Sequence, residues 1–174
     1  MNLFPVPAKK EKIKILGVGP DMVFPYGFFD GSAIDSQGGA GVNIAISSTL
    51  SLSFKLGCGP STNTRAKLLA FWTLLLVAQK LGLPYLHIYG DSSVIINWAN
   101  NRASLSSIEL THWCDNIRTL MDGFVWLDIC HIYWEHNQSA DGLSKDSLVL
   151  TPGILSFFEI MDGSICENGE YQLF

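Results

Sequence analysis

Three aspartates in this 174-residue chain stand where carboxylates could act together. Asp30 follows an aromatic stretch, Asp91 follows an apolar stretch, and Asp141 lies in the first turn of a predicted helix. If the two stretches are neighbouring strands, the three carboxylates converge. Such a cluster is costly unless cations bind it, and hard divalent ions prefer oxygen ligands. Two ions about 3.5–4 Å apart would support in-line hydrolysis of a phosphodiester.

Each aspartate also has a purely structural explanation. Asp30-Gly31 is a turn signal, Asp91 can cap the following helix, and Asp141 can interact favourably with a helix dipole. Taken singly, the structural explanations are favoured. A shared site is predicted only if the strands that precede Asp30 and Asp91 are neighbours.

The elements that must position these residues are centred on one helix and the strand after it. Thr62 or Asn63 is the predicted N-cap, and the apolar run 66–78 predicts a helix that is buried on most of its circumference. Gly82 ends the helix, and 85–89 follows as a short buried strand.

The rest of the chain alternates between strand and helix patterns. The predicted strands are 26–29, 42–47, 50–56, 85–89 and 124–134, and the other predicted helices are 93–100, 110–121 and 139–147. The glycine-rich stretch 37–41 is predicted to turn the chain, and Ser106 with Glu109 has the spacing of a capping box. This order is typical of an α/β domain.

Composition divides the chain into three segments. Residues 1–24 contain several prolines and a cluster of four lysines, which predicts an arm or linker, although 13–18 could add an edge strand. Residues 25–150 form the predicted α/β domain. Residues 151–174 contain two hairpin signals and predict a small β extension whose apolar ends pack on the domain or on a partner.

The charge balance limits the strength of nucleic-acid binding. The net charge is −5, and residues 25–150 contain seven Lys or Arg against ten Asp or Glu. Any affinity for nucleic acid is therefore expected to be modest, salt-sensitive, and partly carried by the N-terminal arm or by metal ions. The four cysteines form no CxxC pair and are expected to be reduced. The absence of a membrane span and of a secretory signal pattern predicts an intracellular location, nuclear or cytoplasmic.

In this order, the motifs resemble the type 1 ribonuclease H family, which includes the reverse-transcriptase-like domains of plant retroelements. The resemblance covers roughly 25–148 and rests on FFDGSA at 28–33, GGAG at 38–41, TNTRAKLLA at 62–70, YGDS at 89–92, Trp98, and HNQSADGLSK at 136–145. It implies a five-stranded mixed sheet with helices on both faces. It also implies cleavage of the RNA strand of an RNA–DNA hybrid with two metal ions, Mg²⁺ or Mn²⁺.

The resemblance assigns Asp30, Asp91 and Asp141 to three of the family's four catalytic carboxylates and metal ligands. The fourth is a glutamate five residues after the Thr of the TN motif, where this chain has Lys67. A site with four negative charges thereby becomes one with three negative charges and one positive charge. Little or no hydrolysis is expected, because the ammonium opposes divalent-cation binding. The alternative is an active enzyme that carries a sporadic or artificial change.

Four further residues are assigned by the resemblance. Thr62, Asn63 and Asn137 match positions that approach the hybrid, where recognition depends on A-form shape and 2′-hydroxyls. The loop that holds the family's mobile histidine is shorter here, and His136 is the candidate for its role. Two functions follow. One is a ribonuclease H impaired by the lysine, and the other is an inactive domain that binds nucleic acid or, through 151–174, a protein partner.

Overall fold

Residues 23–174 are described by a computed structural model in which seven strands form one sheet. The prediction of an N-terminal arm at 1–24, with its lysine cluster and the edge strand at 13–18, falls almost wholly outside the described residues. The strands are β1 (Tyr26–Ile34), β2 (Gln37–Ala45), β3 (Leu50–Pro60), β4 (Tyr85–Gly90), β5 (Trp126–His131), β6 (Ile154–Met161) and β7 (Ser164–Gln172). The helices are α1 (Asn63–Lys80), α2 (Ser93–Ala99), α3 (Thr111–Asp122) and α4 (Gln138–Asp146).

The sheet is mixed, with the order β5-β4-β1-β2-β3-β6-β7. Strands β1, β4 and β5 are parallel to one another, and the remaining neighbours are antiparallel. The predicted α/β fold with a mixed sheet is confirmed. The sheet has seven strands rather than five, because β6 and β7 extend it beyond β3.

Helices cover both faces of the sheet, as predicted. Successive residues of a strand point to opposite faces. Phe29 accordingly joins the larger core beneath α1 and α3, whereas Phe28 joins a smaller core that includes Ala140 of α4. Helix α1 is buried around most of its circumference, because the sheet lies on one side of it and α3 on the other.

The first hairpin differs from the prediction, because β1 continues past Asp30 to Ile34 and Asp30 lies inside the strand. The turn is made by Asp35 and Ser36, which have φ angles of 50° and 64°. The glycines predicted to turn the chain lie within β2 instead. A Cβ on Gly41 would lie 2.4 Å from the Ala140 carbonyl oxygen, so this glycine admits α4 to the sheet.

The helix boundaries follow the predicted caps in one case and not in another. Thr62 caps α1, because its hydroxyl accepts a hydrogen bond from the Arg65 N–H at 3.1 Å. The capping box at Ser106 and Glu109 is wrong. Helix α3 begins later, after Leu110, and has no side-chain cap.

The C-terminal hairpin joins the main sheet through the pairing of β6 with β3. Asp162-Gly163 forms its turn, with φ angles of 50° and 82°. The second predicted turn, Asn168-Gly169, is wrong, because both residues lie inside β7. The division into a domain at 25–150 and an extension at 151–174 stays a prediction.

The end of the chain returns to the helices. The Phe174 ring lies 5.7 Å from that of Trp113 and 6.4 Å from that of Trp72, measured between centroids. This apolar end therefore packs on the same chain. Within residues 23–174, no helix is both long and apolar enough to cross a membrane.

Candidate functional site

Parallel pairing of β1 with β4 brings Asp30 and Asp91 side by side. Phe29 pairs with Gly90 in the register, and an aspartate follows each of them. A Cβ on Gly90 would lie 2.5 Å from the Phe29 ring, so the glycine allows this close approach. Ser92 accepts the capping hydrogen bond of α2, at 3.4 Å, so Asp91 does not serve as the cap.

Lys67 lies between these two aspartates. Its Nζ donates a hydrogen bond to Asp30 Oδ1 at 2.6 Å and lies 3.8 Å from Asp91 Oδ1. Helix α1 approaches β1 so closely that a Cβ on Gly31 would lie 2.3 Å from the Lys67 nitrogen and 2.2 Å from the Ala66 carbonyl carbon. The glycine after Asp30 is therefore what allows the lysine to reach both carboxylates.

Burial and the charge of Lys67 shift the pKa of Asp30 in opposite directions, and the Asp30 side chain is only 2% exposed. Burial raises the pKa of Asp30 to about 6, against the charge and hydrogen bond of Lys67, which lower it. The neighbouring Asp91 raises this pKa as well, and the Gly31 N–H, which donates to Oδ1 at 2.8 Å, lowers it. Burial therefore disfavours the charge of Asp30, and the ammonium of Lys67 at 2.6 Å favours it.

Asp141 lies in the first turn of α4, as predicted, and has its own cationic partner. Lys145 Nζ donates a hydrogen bond to Asp141 Oδ2 at 2.9 Å. This hydrogen bond, and then the charge of Asp141, raises the pKa of Lys145. The sequence reasoning missed Lys145, although its spacing of four residues from Asp141 is typical of a helical ion pair.

Helix α4 is fixed against the strand that holds Asp30. Gly41, the cross-strand partner of Asp30, contacts the backbone of α4. Ser32 and Ser144 lie 2.6 Å apart between their hydroxyl oxygens, so they hydrogen-bond β1 to α4. These contacts bring the first turn of α4 close to the Asp30 strand.

The four remaining predicted residues lie at the starts of α1 and α4, the helices that carry Lys67 and Asp141. Thr62 caps α1, and Asn63 Oδ1 accepts a hydrogen bond from the Ala33 N–H at 3.0 Å. Asn137 is almost fully buried and donates from Nδ2 to the Phe29 carbonyl at 2.9 Å. His136 is half-buried at the end of a short 3-10 turn. Their contacts with nucleic acid stay predictions.

The segment 132–137 runs from the carboxyl end of β4 to β1, at the level where the pairing of these two strands ends. The Ile132 N–H donates to the carbonyl of Gly90 at 2.9 Å, and Asn137 reaches β1 at the other end of the segment. His131, which precedes the segment, places Nε2 3.1 Å from the Asp91 carbonyl oxygen. Sequence reasoning missed His131, because a histidine near the end of a strand carries no motif of its own.

The donor set does not fit a divalent-metal centre, although the RNase H family generally uses such ions. Lys67 contacts both Asp30 and Asp91, and Asp141 forms a hydrogen-bonded ion pair with Lys145. Within residues 23–174, no group of three or more His, Cys, Asp or Glu side chains could hold a metal ion. The family glutamate would supply a further carboxylate, and an ammonium is present in its place.

A mixed sheet of this order, with two aspartates side by side where the pairing of β1 with β4 ends, defines an RNase H-like domain. A family model described as reverse transcriptase-like matches residues 28–147, which is more than half of the chain. The chain belongs to this reverse transcriptase-like family, and its resemblance to type 1 ribonuclease H proteins is confirmed. A plant origin stays a prediction.

Solved structures of ribonuclease H proteins share the fold. RNase H1 from the halophilic archaeon Halobacterium salinarum is 21% identical, with a TM-score of 0.65 over 71% of this chain and 96% of that one. The N-terminal RNase H domain of Rv2228c from Mycobacterium tuberculosis is 21% identical, with a TM-score of 0.66 over 71% and 94%. LC11-RNase H1, solved with an RNA/DNA hybrid, is 22% identical, with a TM-score of 0.65 over 71% and 96%. No curated protein matches the chain.

Proposed function

We propose that this chain is an RNase H-type domain that binds RNA–DNA hybrids and hydrolyses their RNA strand little or not at all. The observation that supports this is the Lys67 ammonium, 2.6 Å from Asp30 and 3.8 Å from Asp91. An ammonium at these distances neutralises the carboxylates and opposes a divalent cation. The family match supports the substrate class, as does the RNA/DNA hybrid bound to LC11-RNase H1.

The charge of the site favours binding that needs no metal. Three aspartates and two lysines, Lys67 and Lys145, leave one net negative charge among these five groups. A phosphodiester backbone therefore meets far less repulsion than four unpaired carboxylates would produce. The acidic balance of the whole chain keeps the affinity modest and salt-sensitive.

The test of this function is hybrid cleavage at low salt with Mg²⁺ or Mn²⁺. The unchanged chain, Asp30→Asn, Lys67→Glu, Lys67→Gln, and Lys67→Glu combined with Asp30→Asn should be compared. We expect only Lys67→Glu to cut, because Lys67→Gln removes the ammonium without restoring a carboxylate. Cleavage by the unchanged chain that Asp30→Asn abolishes would show that three aspartates suffice, and the proposed loss of activity would be wrong.

Binding is measured separately, by fluorescence anisotropy of a labelled hybrid in EDTA. The unchanged chain is expected to bind without divalent ions and to lose affinity steeply as salt rises. A duplex DNA of the same length is the matched probe, since it lacks the A-form minor groove and the 2′-hydroxyls. Equal affinity for the two probes, or no binding at all, would contradict hybrid recognition.

A second candidate function, protein binding through residues 151–174, is favoured by the exposed side of the hairpin. Strand β7 is an edge strand, and the segment contains four Asp or Glu and no Lys or Arg. A cavity of about 770 Å³ between α1 and the hairpin is lined by Leu155, Phe157 and Tyr171. These features suit a lysine-rich extended segment of a partner, paired along β7.

This second function is tested with a lysine-rich peptide of alternating apolar residues. Its affinity for the chain is expected to fall when Glu167 and Glu170 are changed to lysine, because the charge complementarity is reversed. Asp122→Lys, just before the opposite edge strand β5, with Asp128→Lys, within that strand, is the control and should leave the affinity unchanged if binding is specific. Unchanged affinity in the double variant would exclude β7 as the docking strand.

A further inference from the structure

Two exposed aromatic side chains lie on the segment 132–137, which runs from the carboxyl end of β4 to β1. Tyr133 is 58% exposed and Trp134 is 55% exposed. The Tyr133 ring meets the His131 ring edge to face, with centroids 6.0 Å apart. His131 in turn contacts the Asp91 carbonyl, so a single imidazole separates Tyr133 from the aspartate site.

Other exposed aromatic residues are already covered on one side by a neighbouring ring. Trp126 stacks on Tyr85 with centroids 5.0 Å apart, and Tyr171 stacks on Phe157 at 5.7 Å. Within residues 23–174, no such stacked ring accompanies Trp134, and Tyr133 meets only the edge-on histidine. Flat apolar faces left in water are costly, which makes this pair distinct from the other aromatics of the surface.

We propose that Tyr133 and Trp134 form a stacking site for an unpaired nucleobase beside the Asp30–Asp91 site. The inference rests on the proposed function, since the bound hybrid is what would bring the base close to Asp30 and Asp91. An aromatic ring stacks on any base, because every base has a π face. Glu135, which is exposed beside the pair, repels phosphate and so favours contact through the base rather than the backbone.

The ligand class is therefore a hybrid with a single-stranded extension, in which the paired part lies over the aspartates and the unpaired bases stack on the exposed rings of Tyr133 and Trp134. Stacking of this kind is tolerant of sequence. A DNA extension and an RNA extension present the same faces, so both strands need to be tested.

The experiment compares anisotropy titrations of a blunt hybrid with hybrids that carry five unpaired nucleotides on the DNA or the RNA strand, all in EDTA. A further probe has abasic sites in the extension. The unchanged chain is expected to bind an extended hybrid roughly tenfold more tightly than the blunt or abasic probes. Tyr133→Ser with Trp134→Ser should abolish this preference and leave blunt-hybrid affinity unchanged.

Two further variants separate stacking from a structural role. Tyr133→Phe with Trp134→Phe keeps the ring faces and is expected to retain the preference. Tyr171→Ser removes a ring of similar exposure, 59%, far along the chain and is the matched control. If the serine pair retains the preference, or if the abasic extension binds as well as the normal one, the stacking site is wrong.

The outcomes also separate this inference from the proposed function. Equal binding of blunt and extended hybrids overturns the stacking site alone. Binding that requires unpaired bases, with no affinity for the blunt hybrid, supports the stacking site and overturns hybrid recognition. Failure to bind any probe overturns both.

Discussion

At the residue scale, Lys67 and Asp30 form an ion pair whose members differ in exposure. Asp30 is almost inaccessible, whereas about a quarter of the Lys67 side chain, 26%, is exposed. The lysine can therefore be replaced without leaving a buried cation. The aspartate cannot lose its partner without leaving a buried carboxylate, which is costly in the folded state.

Lys67→Met is therefore expected to lower the free energy of unfolding at pH 7 by about 3 kcal/mol. Adding Asp30→Asn to this variant should recover most of the loss, because it removes the unpaired charge. Urea unfolding of the two single variants and the double variant gives the coupling energy directly. Additive effects would mean that the two side chains do not stabilise one another.

The raised pKa of Asp30 predicts how stability depends on pH. The folded value of about 6 exceeds the usual 3.8, so the folded state holds this proton more tightly than the unfolded chain. This contribution to stability is present below about pH 4 and is lost as pH rises to about 6. The shift amounts to about 3 kcal/mol at roughly 1.4 kcal/mol per pKa unit.

Asp30→Asn lacks this loss, so its stability relative to the unchanged chain is expected to rise by about 3 kcal/mol between pH 4 and pH 7. Urea unfolding at the two pH values measures the change, and Asp35→Asn, on the exposed turn, serves as the control. A relative stability that falls instead would show that Lys67 depresses the pKa of Asp30 below 3.8.

At the element scale, the site depends on how closely helices approach the sheet. Gly31 lies against the backbone of α1, and Gly41 lies against the backbone of α4. Neither contact leaves space for a Cβ, since the atoms it would meet are backbone atoms that cannot rotate away. The positions of Lys67 and Asp141 therefore depend on two glycines in adjacent strands.

Gly31→Ala is expected to destabilise the fold by about 3 kcal/mol and to separate Lys67 from Asp30. Gly142→Ala is the matched control, because nothing lies within 4 Å of a Cβ at that exposed helical position. It should stabilise the chain by up to about 1 kcal/mol through helix propensity. Thermal unfolding measures the stability of both variants. If the two substitutions change stability by similar amounts, the packing argument is wrong.

The sequence predicts most helices and strands correctly. It fails where the end of an element depends on contacts with residues that are distant in sequence. The Thr62 cap and the helix after it follow from local chemistry, and Asp141 falls in the predicted helical turn. The aromatic run 26–29 predicts a strand that ends before Asp30-Gly31, whereas the observed strand continues through both residues. No local rule reveals that the following glycine makes room for a distant helix.

At the scale of the whole molecule, the C-terminal hairpin makes β3 an internal strand of the sheet. Strand β3 would form the edge of a five-stranded sheet, but β6 pairs along it and makes it an internal strand. Phe54 of β3 lies against Phe157 of β6, with ring centroids 6.2 Å apart. The family match ends at residue 147, so this stabilising hairpin lies outside the matched region.

A chain that ends at Pro152 is expected to lose at least about 3 kcal/mol of stability and to associate through the exposed β3 edge. Thermal unfolding and size-exclusion chromatography measure the two effects. A chain that ends at Gln172 is the control and should lose less, because it keeps both hairpin strands. A stable monomer ending at Pro152 would show that residues 25–150 form a self-sufficient domain.

A change of one base in the codon for Lys67 can alter the charge of the site. Lysine and glutamate codons differ only in their first base, so a single transition would convert this lysine codon into one for glutamate, the residue that the family resemblance implies. The same change would remove the cation that offsets the buried charge of Asp30. One base change would therefore restore the fourth carboxylate and at the same time lower the stability of the fold.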